Sequence, residues 1–336
     1  MSTRIAASAT KRCAAAPPAE PAIRVADLST GALRRATLVL LLAALIWGSM
    51  IPVLAALAEH YDKWLLSWSR YVLGLPVLWL AVLCSTPPAA APRPLQPGRL
   101  FRLGAAMTAF SVLYTFGVAN AHPATAAIVL MCGPIWATIL SRLLLRAVPP
   151  PGFYVTLVLV VCGGILVVLG TPGRTAGGLG MEGGEILLVI AQLCWSWYSI
   201  RAQQWLADRG QMALSALTSS VASVLLAVVC LIVWASLGLD LPMRAPTLLE
   251  GGMIVWIGVL GVAVAVLLWN TGVSLVGVPV ASLFSNSAPV FAIGLAALMG
   301  FEPSWLQLAG GAVVMGGIAQ LQIRQMRTAR AARRAG

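Results

Sequence analysis

A small set of aromatic and polar residues falls inside runs apolar enough to cross a bilayer: Trp47, Tyr114, Gln192, Trp195, Trp269, Asn270, Ser282, Ser285 and Asn286. Ser282, Ser285, Asn286 and Pro289 fall at i, i+3, i+4 and i+7, which is one face of a helix. Gln192, Trp195, Ser196 and Ser199 share a second face. Side chains of these types bind without reacting. Rings wall a cavity, while amides and hydroxyls orient the polar part of a guest. At membrane depth such groups are not left facing lipid. Each therefore either lines a substrate path or hydrogen-bonds a neighbouring helix. The expectation is a substrate-binding set gathered around one cavity.

Catalytic chemistry finds little to work with. The histidines, His60 and His122, have no acid at metal-ligand spacing, and neither Lys11 nor Lys63 follows the glycine spacing of a P-loop. No cofactor, no metal and no enzymatic activity are expected, and ATP hydrolysis by that route is excluded. Cys13, Cys84, Cys132, Cys162, Cys194 and Cys230 form no CxxC pair and read as small apolar residues. Arg70 lies inside an apolar run, where a charge is costly and reads as functional, with snorkelling to the interface as the alternative. Glu185 and Glu250, at outer helix ends, read as solvated helix ends, with a proton site as the alternative. Pro134 and Pro289 each remove a backbone donor in mid-helix, which permits a kink or a freed carbonyl, and are read as hinges.

The elements that must position these residues follow from composition. Of 336 residues, 60% are hydrophobic and 10% charged, with a mean hydropathy of +0.91. Soluble domains carry roughly 25% charged residues, so this chain cannot cover a water-facing surface and is an integral membrane protein. Its apolar runs predict ten transmembrane helices, over about 37–57, 64–84, 100–119, 123–145, 152–170, 184–204, 212–238, 248–273, 279–300 and 305–323. Residues 1–36 read as a disordered cytoplasmic tail and 324–336 as a basic one, and the Gly- and Pro-rich stretch 171–184 divides the halves. The net charge of +12 suggests nucleic acid at first. Its placement in the tails and alternate loops is instead the positive-inside pattern, which puts both termini in the cytoplasm.

The two halves resemble each other. Residues 113–140 and 268–295 align without a gap, pairing Leu113 with Leu268, Gly117 with Gly272, Val118 with Val273, Pro134 with Pro289 and Tyr114 with Trp269. Five helices per copy is an odd number, so the second copy, 184–323, enters the membrane inverted relative to the first, 37–170. The expected fold is all-α, two inverted five-helix repeats, with the site between the halves near the midplane.

With these features in order, the chain resembles the drug/metabolite transporter superfamily, specifically its ten-helix EamA-type members. The resemblance rests on Trp47–Gly48 in the first helix, Arg70–Tyr71 in the second and Pro134 and Pro289 in the fourth and ninth. Glu302 after the ninth helix and the pairs Gly163–Gly164 and Gly316–Gly317 complete it. One departure is Arg146–Ala147–Val148, where that family often has Gly-Glu. The resemblance implies export of small metabolites, amino acids or drugs from a bacterial cytoplasm through a central cavity in the inner membrane. The residues themselves favour neutral or zwitterionic guests over cations, because buried acids are few. A lipid flippase or an accessory membrane subunit is the alternative reading. The glycine pairs, with Gly310–Gly311, suit close helix packing either within the protomer or across a homodimer.

Overall fold

The structure is a computed structural model that describes residues 28–86, 91–171, 181–237, 245–300 and 302–335. The expected tail over residues 1–27, most of the 171–184 linker and Asp240 and Arg244 lie outside the described residues. Every regular element among the described residues is helical.

Helix α1 (Thr30–Ala58) starts ahead of the expected 37 because Ser29 caps it, its Oγ accepting the Ala32 N–H at 3.0 Å. Helix α2 (Lys63–Leu83) is capped in the same way by Asp62, whose carboxylate accepts the Leu65 N–H at 2.8 Å. Helix α3 (Pro97–Ala119) opens on a proline at its first position, where the missing N–H costs nothing. The predicted fourth helix is two pieces, α4 (Pro123–Met131) and α5 (Gly133–Leu145), followed by α6 (Phe153–Leu169).

In the second half, α7 (Gly184–Leu206) leads through a short 3-10 turn, Ala207–Arg209, into α8 (Gly210–Leu237). Helix α9 (Leu248–Val255) has a full capping box between Thr247 and Glu250. It continues as a π-helical stretch, Trp256–Val264, and then as α10 (Ala265–Ser285). Inside α10 only Gly277 leaves helical backbone values, at φ 78° and ψ 162°, a conformation that glycine alone adopts readily. Gly210 has a matching φ of 79° and ψ of 158°. Helices α11 (Ala288–Leu298) and α12 (Trp305–Ala335) complete the chain. Helix α12 runs past the expected 323, so Arg324, Arg327 and Arg330 stand on a helix rather than in an irregular tail; arginine is a good helix former.

Seven helices among the described residues are long and apolar enough to cross a membrane, and the shorter α6 and α11 are apolar too. Their outward faces match. Leu65, Val72, Trp79 and Leu83 of α2 are all exposed at helical spacing, a stripe that water would not tolerate and lipid requires. The closest helix pairings are α6 with α12, α3 with α7, α1 with α10 and α2 with α8. Each joins the first half to the second, so the halves share one core. At the α6–α12 crossing, Gly163 and Gly310 meet backbone to backbone: a Cβ on Gly163 would stand 2.8 Å from the Gly310 carbonyl oxygen. These small residues pack within the chain.

Candidate functional site

The rings expected to share a cavity converge where α1, α3, α7 and α10 meet. Trp47 lies 6.0 Å from Trp195, edge-on at 79°, and 5.7 Å from Trp269, while Trp195 and Trp269 are 5.8 Å apart between centroids. Three tryptophans from three helices thus touch in a triangle. Tyr114 joins through Phe110, which is 5.6 Å from Tyr114 and 5.0 Å from Trp195. Tyr198 packs on the other side of Trp195 at 5.4 Å. Edge-on and tilted pairs of this kind contribute about 0.5–1.5 kcal/mol each beyond area burial.

Sequence reasoning did not single out Phe110 or Tyr198 as site residues. Both were within reach of helical spacing, since Phe110 stands four before Tyr114 and Tyr198 three after Trp195.

Hydrogen bonds pin the ring edges. Trp269, buried, donates Nε1–H to Ser199 Oγ at 3.0 Å. Trp47 donates Nε1–H to the Gly261 carbonyl at 3.2 Å, a carbonyl of the π-helical stretch. Both Trp47 and Trp195 remain half-buried.

The amides sit elsewhere, around the α4–α5 break. Pro134 has no N–H to give Leu130 O, and the Ile135 N–H turns to Cys132 O at 2.9 Å. The Leu130 and Met131 carbonyls are thereby left for other donors. Gln192 of α7 donates Nε2–H to Leu130 O at 3.1 Å, and Asn286, at the end of α10, donates Nδ2–H to Met131 O at 2.7 Å. Asn286 is buried. Met131 and Asn286 are also equivalent positions in the ungapped register of the two copies. A residue bonded to its own equivalent lies where the two copies meet.

Asn270 is buried as well. Its Nδ2 donates to Ser215 Oγ at 2.9 Å and to Tyr198 Oη at 3.2 Å, which ties α10 to α8 and α7, while its Oδ1 is enclosed without a partner. Ser282 and Ser285 turn back on their own helix, donating to Pro279 O at 2.8 Å and Ser282 O at 2.7 Å. The second break, between Ser285 and Ala288, precedes Pro289. There the Ser287 N–H and Oγ–H both reach Phe284 O, at 3.0 and 2.6 Å. Gly48 of α1 lies against this break so closely that a Cβ would collide with the Ala288 carbonyl.

Arg70 stands four residues after Leu66 and four before Gly74, both buried, so it projects from the inward face of α2. Its Nε is enclosed without an acceptor, and its electrostatic neighbours are Tyr71 and Tyr114 rather than acids. A separate groove of about 520 Å³ lies between α5 and α6, lined among others by Thr138, Arg142 and Tyr154. None of the clustered rings borders it.

Among the described residues no group of three His, Cys, Asp or Glu side chains could hold a metal ion. The arrangement is one of non-covalent contacts: a cluster of aromatic rings drawn from both halves, with two broken helices elsewhere in the chain.

The chain also matches known proteins. The EamA-like transporter family matches twice, over residues 34–169 and 182–321. Trp47 and Trp195 both stand 13 residues after the start of their matched segments. The "Uncharacterized transporter YyaM" of Bacillus subtilis (strain 168) is 22% identical over 210 residues, 62% of this chain and 67% of that protein. A solved structure described as "Crystal structure of protein" shares the fold with a TM-score of 0.70 and 22% identity, covering 87% of this chain and 98% of that one. The double match accounts for most of the chain and for its multi-pass membrane character: this protein belongs to the EamA-like transporter family.

Proposed function

We propose that the protein is a secondary transporter that exports small metabolites, amino acids or drugs across a bacterial inner membrane by alternating access. The single observation that carries the reading is the ring cluster. It is built from α1 and α3 of one copy and α7 and α10 of the other, so any relative motion of the copies opens or closes it.

Ten spans follow if Gly210 and Gly277 are turns and each broken pair crosses as one, since two of the apolar stretches run through those glycines. Five spans per copy then invert the second copy, with both termini cytoplasmic. The helix pairings support this two-fold relation. Exchanging the copies converts α1–α10 into α7–α3 and returns α2–α8 and α6–α12 to themselves.

Within the enclosure, Trp47, Tyr114, Trp195 and Trp269 form the walls. Arg70, inward and without an acid beside it, disfavours cations and takes the negative end of a zwitterionic guest. Gln192, Asn270, Ser282, Ser285 and Asn286 act at one remove, by holding the helices that carry the walls. Pro134 and Pro289 set the flexing points.

The test is uptake of a mixed metabolite panel into inverted vesicles, with and without a proton gradient, comparing the unaltered protein with Trp195→Ala. Gradient-dependent accumulation that falls at least tenfold in the variant supports the reading and names the cargo. Accumulation unchanged in the variant moves the site away from the rings. Absence of accumulation of any compound sinks the exporter assignment.

A further inference from the structure

The basic residues at one end of α3 and α7 are not spread along the rim. The guanidinium carbons of Arg99, Arg102 and Arg201 lie 5.5, 5.1 and 5.8 Å from the centroid of a single ring, that of Trp205. Arg99 and Arg102 come from the first turns of α3, Arg201 and Trp205 from the last turns of α7. Trp197 packs edge-on against Trp205 at 5.6 Å and 82° and steadies it. Arg209, in the turn that follows α7, donates to the Arg93 carbonyl.

Acids do not balance this group. Asp208 accepts the Arg93 backbone N–H at 2.9 Å, and among the described residues Arg99, Arg102, Arg201 and Arg209 make no ion pair. Arg102 spends its Nε–H on the Gly98 carbonyl and Arg201 an Nη–H on Gln204 Oε1, at 3.0 and 2.6 Å. The Arg201 Nε is enclosed and has no acceptor.

Each guanidinium is attracted to the indole, yet three of them around one indole repel each other. Arginines held only by solvent would fan apart. A shared anion of several oxygens removes the repulsion and fills the vacant donors, because guanidinium forks match phosphoryl oxygens two at a time. The cluster also sits at the start of the apolar span that begins at Pro97 and near the end of α7, and anionic headgroups line the ends of membrane spans.

We propose that Arg99, Arg102 and Arg201, with Trp205 as the floor, form a binding site for a phosphoryl anion. This site is separate from the central rings and independent of the transport reading. The phosphoryl group comes either from an anionic phospholipid or from a soluble phosphate compound.

The test uses the full chain, purified in a neutral detergent. Native mass spectrometry reads retention of phosphatidylglycerol against phosphatidylcholine, and thermal melting reads stabilisation by inorganic pyrophosphate. The proteins compared are the unaltered chain, R102Q/R201Q, Trp205→Leu, and R327Q/R330Q, which removes the same charge from the exposed end of α12. The expected result is at least fivefold preference for phosphatidylglycerol, or a pyrophosphate shift of several degrees, in the unaltered chain and in R327Q/R330Q. R102Q/R201Q should lose it and Trp205→Leu should weaken it at least twofold with every charge retained. Retention of the lipid alone identifies a headgroup site; a pyrophosphate shift alone identifies a soluble ligand. Parity of the two lipids together with no pyrophosphate shift overturns the proposal. So does an equal loss in R327Q/R330Q, which would mean diffuse charge. Trp205→Leu decides the matter if the double variant does not fold.

Discussion

The two broken helices make an instructive pair. Their sequences correspond position by position, with Pro134 matched by Pro289, yet their hydrogen bonding differs. The first break is closed from outside, by amides of Gln192 and Asn286 that both belong to the other copy. The second is closed from within, by Ser287 bonding back to Phe284 O, and is backed by the bare backbone of α1 at Gly48. The prolines remove equivalent donors, those for Leu130 O and Ser285 O, and both breaks keep the same local bond, Cys132 N–H to Val129 O and Ser287 N–H to Phe284 O; the first adds side chains from across the interface, the second a local hydroxyl, Ser287 Oγ–H on Phe284 O. The first solution couples the copies; the second leaves its break dependent on steric contact.

Substitutions separate these two solutions. The largest effect is expected from Gly48→Ala. Its new methyl group meets the Ala288 backbone, which cannot swing aside, so the cost should reach about 3 kcal/mol, at the upper end for overpacking. A thermal melt in detergent should show the loss. An unchanged melting temperature would mean that α1 is not seated on the second break. By contrast, Gly133→Ala places its methyl 2.9 Å from Gln192 Nε2, the far end of a flexible side chain, and should be far milder.

Asn286→Leu comes next. It leaves the Met131 carbonyl without a donor, at a cost of about 1–3 kcal/mol. Because the bond joins the copies, transport should suffer more than helicity, which circular dichroism and vesicle uptake together would reveal. Gln192→Leu removes the companion bond at a half-buried site, where about 1 kcal/mol is expected. A double variant with Asn286→Leu should cost less than the sum if the two amides hold one break. Ser287→Ala is the mildest of the bond losses, because the Phe284 carbonyl keeps the Ser287 N–H. A shift below about 1 kcal/mol is expected there, and a loss equal to that of Asn286→Leu would erase the distinction between the breaks.

Much of the architecture was legible from residue order. Apolar run length marked an all-helical membrane chain, seven of whose helices are long and apolar enough to cross among the described residues, and the ungapped match between copies marked Pro134 and Pro289 as paired features. Mid-helix aromatics at Trp47, Trp195 and Trp269 marked the rings that the structure brings together. The partners of the amides were not legible. Asn286 and Gln192 bond to backbone carbonyls freed by a proline on a distant helix, and a carbonyl carries no residue type for a reader to notice. The arginines on Trp205 were hidden for a related reason. Their spacing reads as ordinary topology charge, and only the crossing of α3 with α7 puts them over one ring. The short capping and turn signals carry little hydropathy, so the cap at Ser29, ahead of the expected start at 37, and the break at Ser287 inside the expected ninth span were not legible.

The π-helical stretch Trp256–Val264 carries a consequence for any helical wheel drawn on this span. In it N–H groups reach five residues back instead of four, as Ala265 does to Leu260 O, so the stretch holds about one residue more than regular α-helix would. Faces counted upstream, from Met253, therefore arrive at Trp269 and Asn270 displaced by roughly one position, about 100° of rotation.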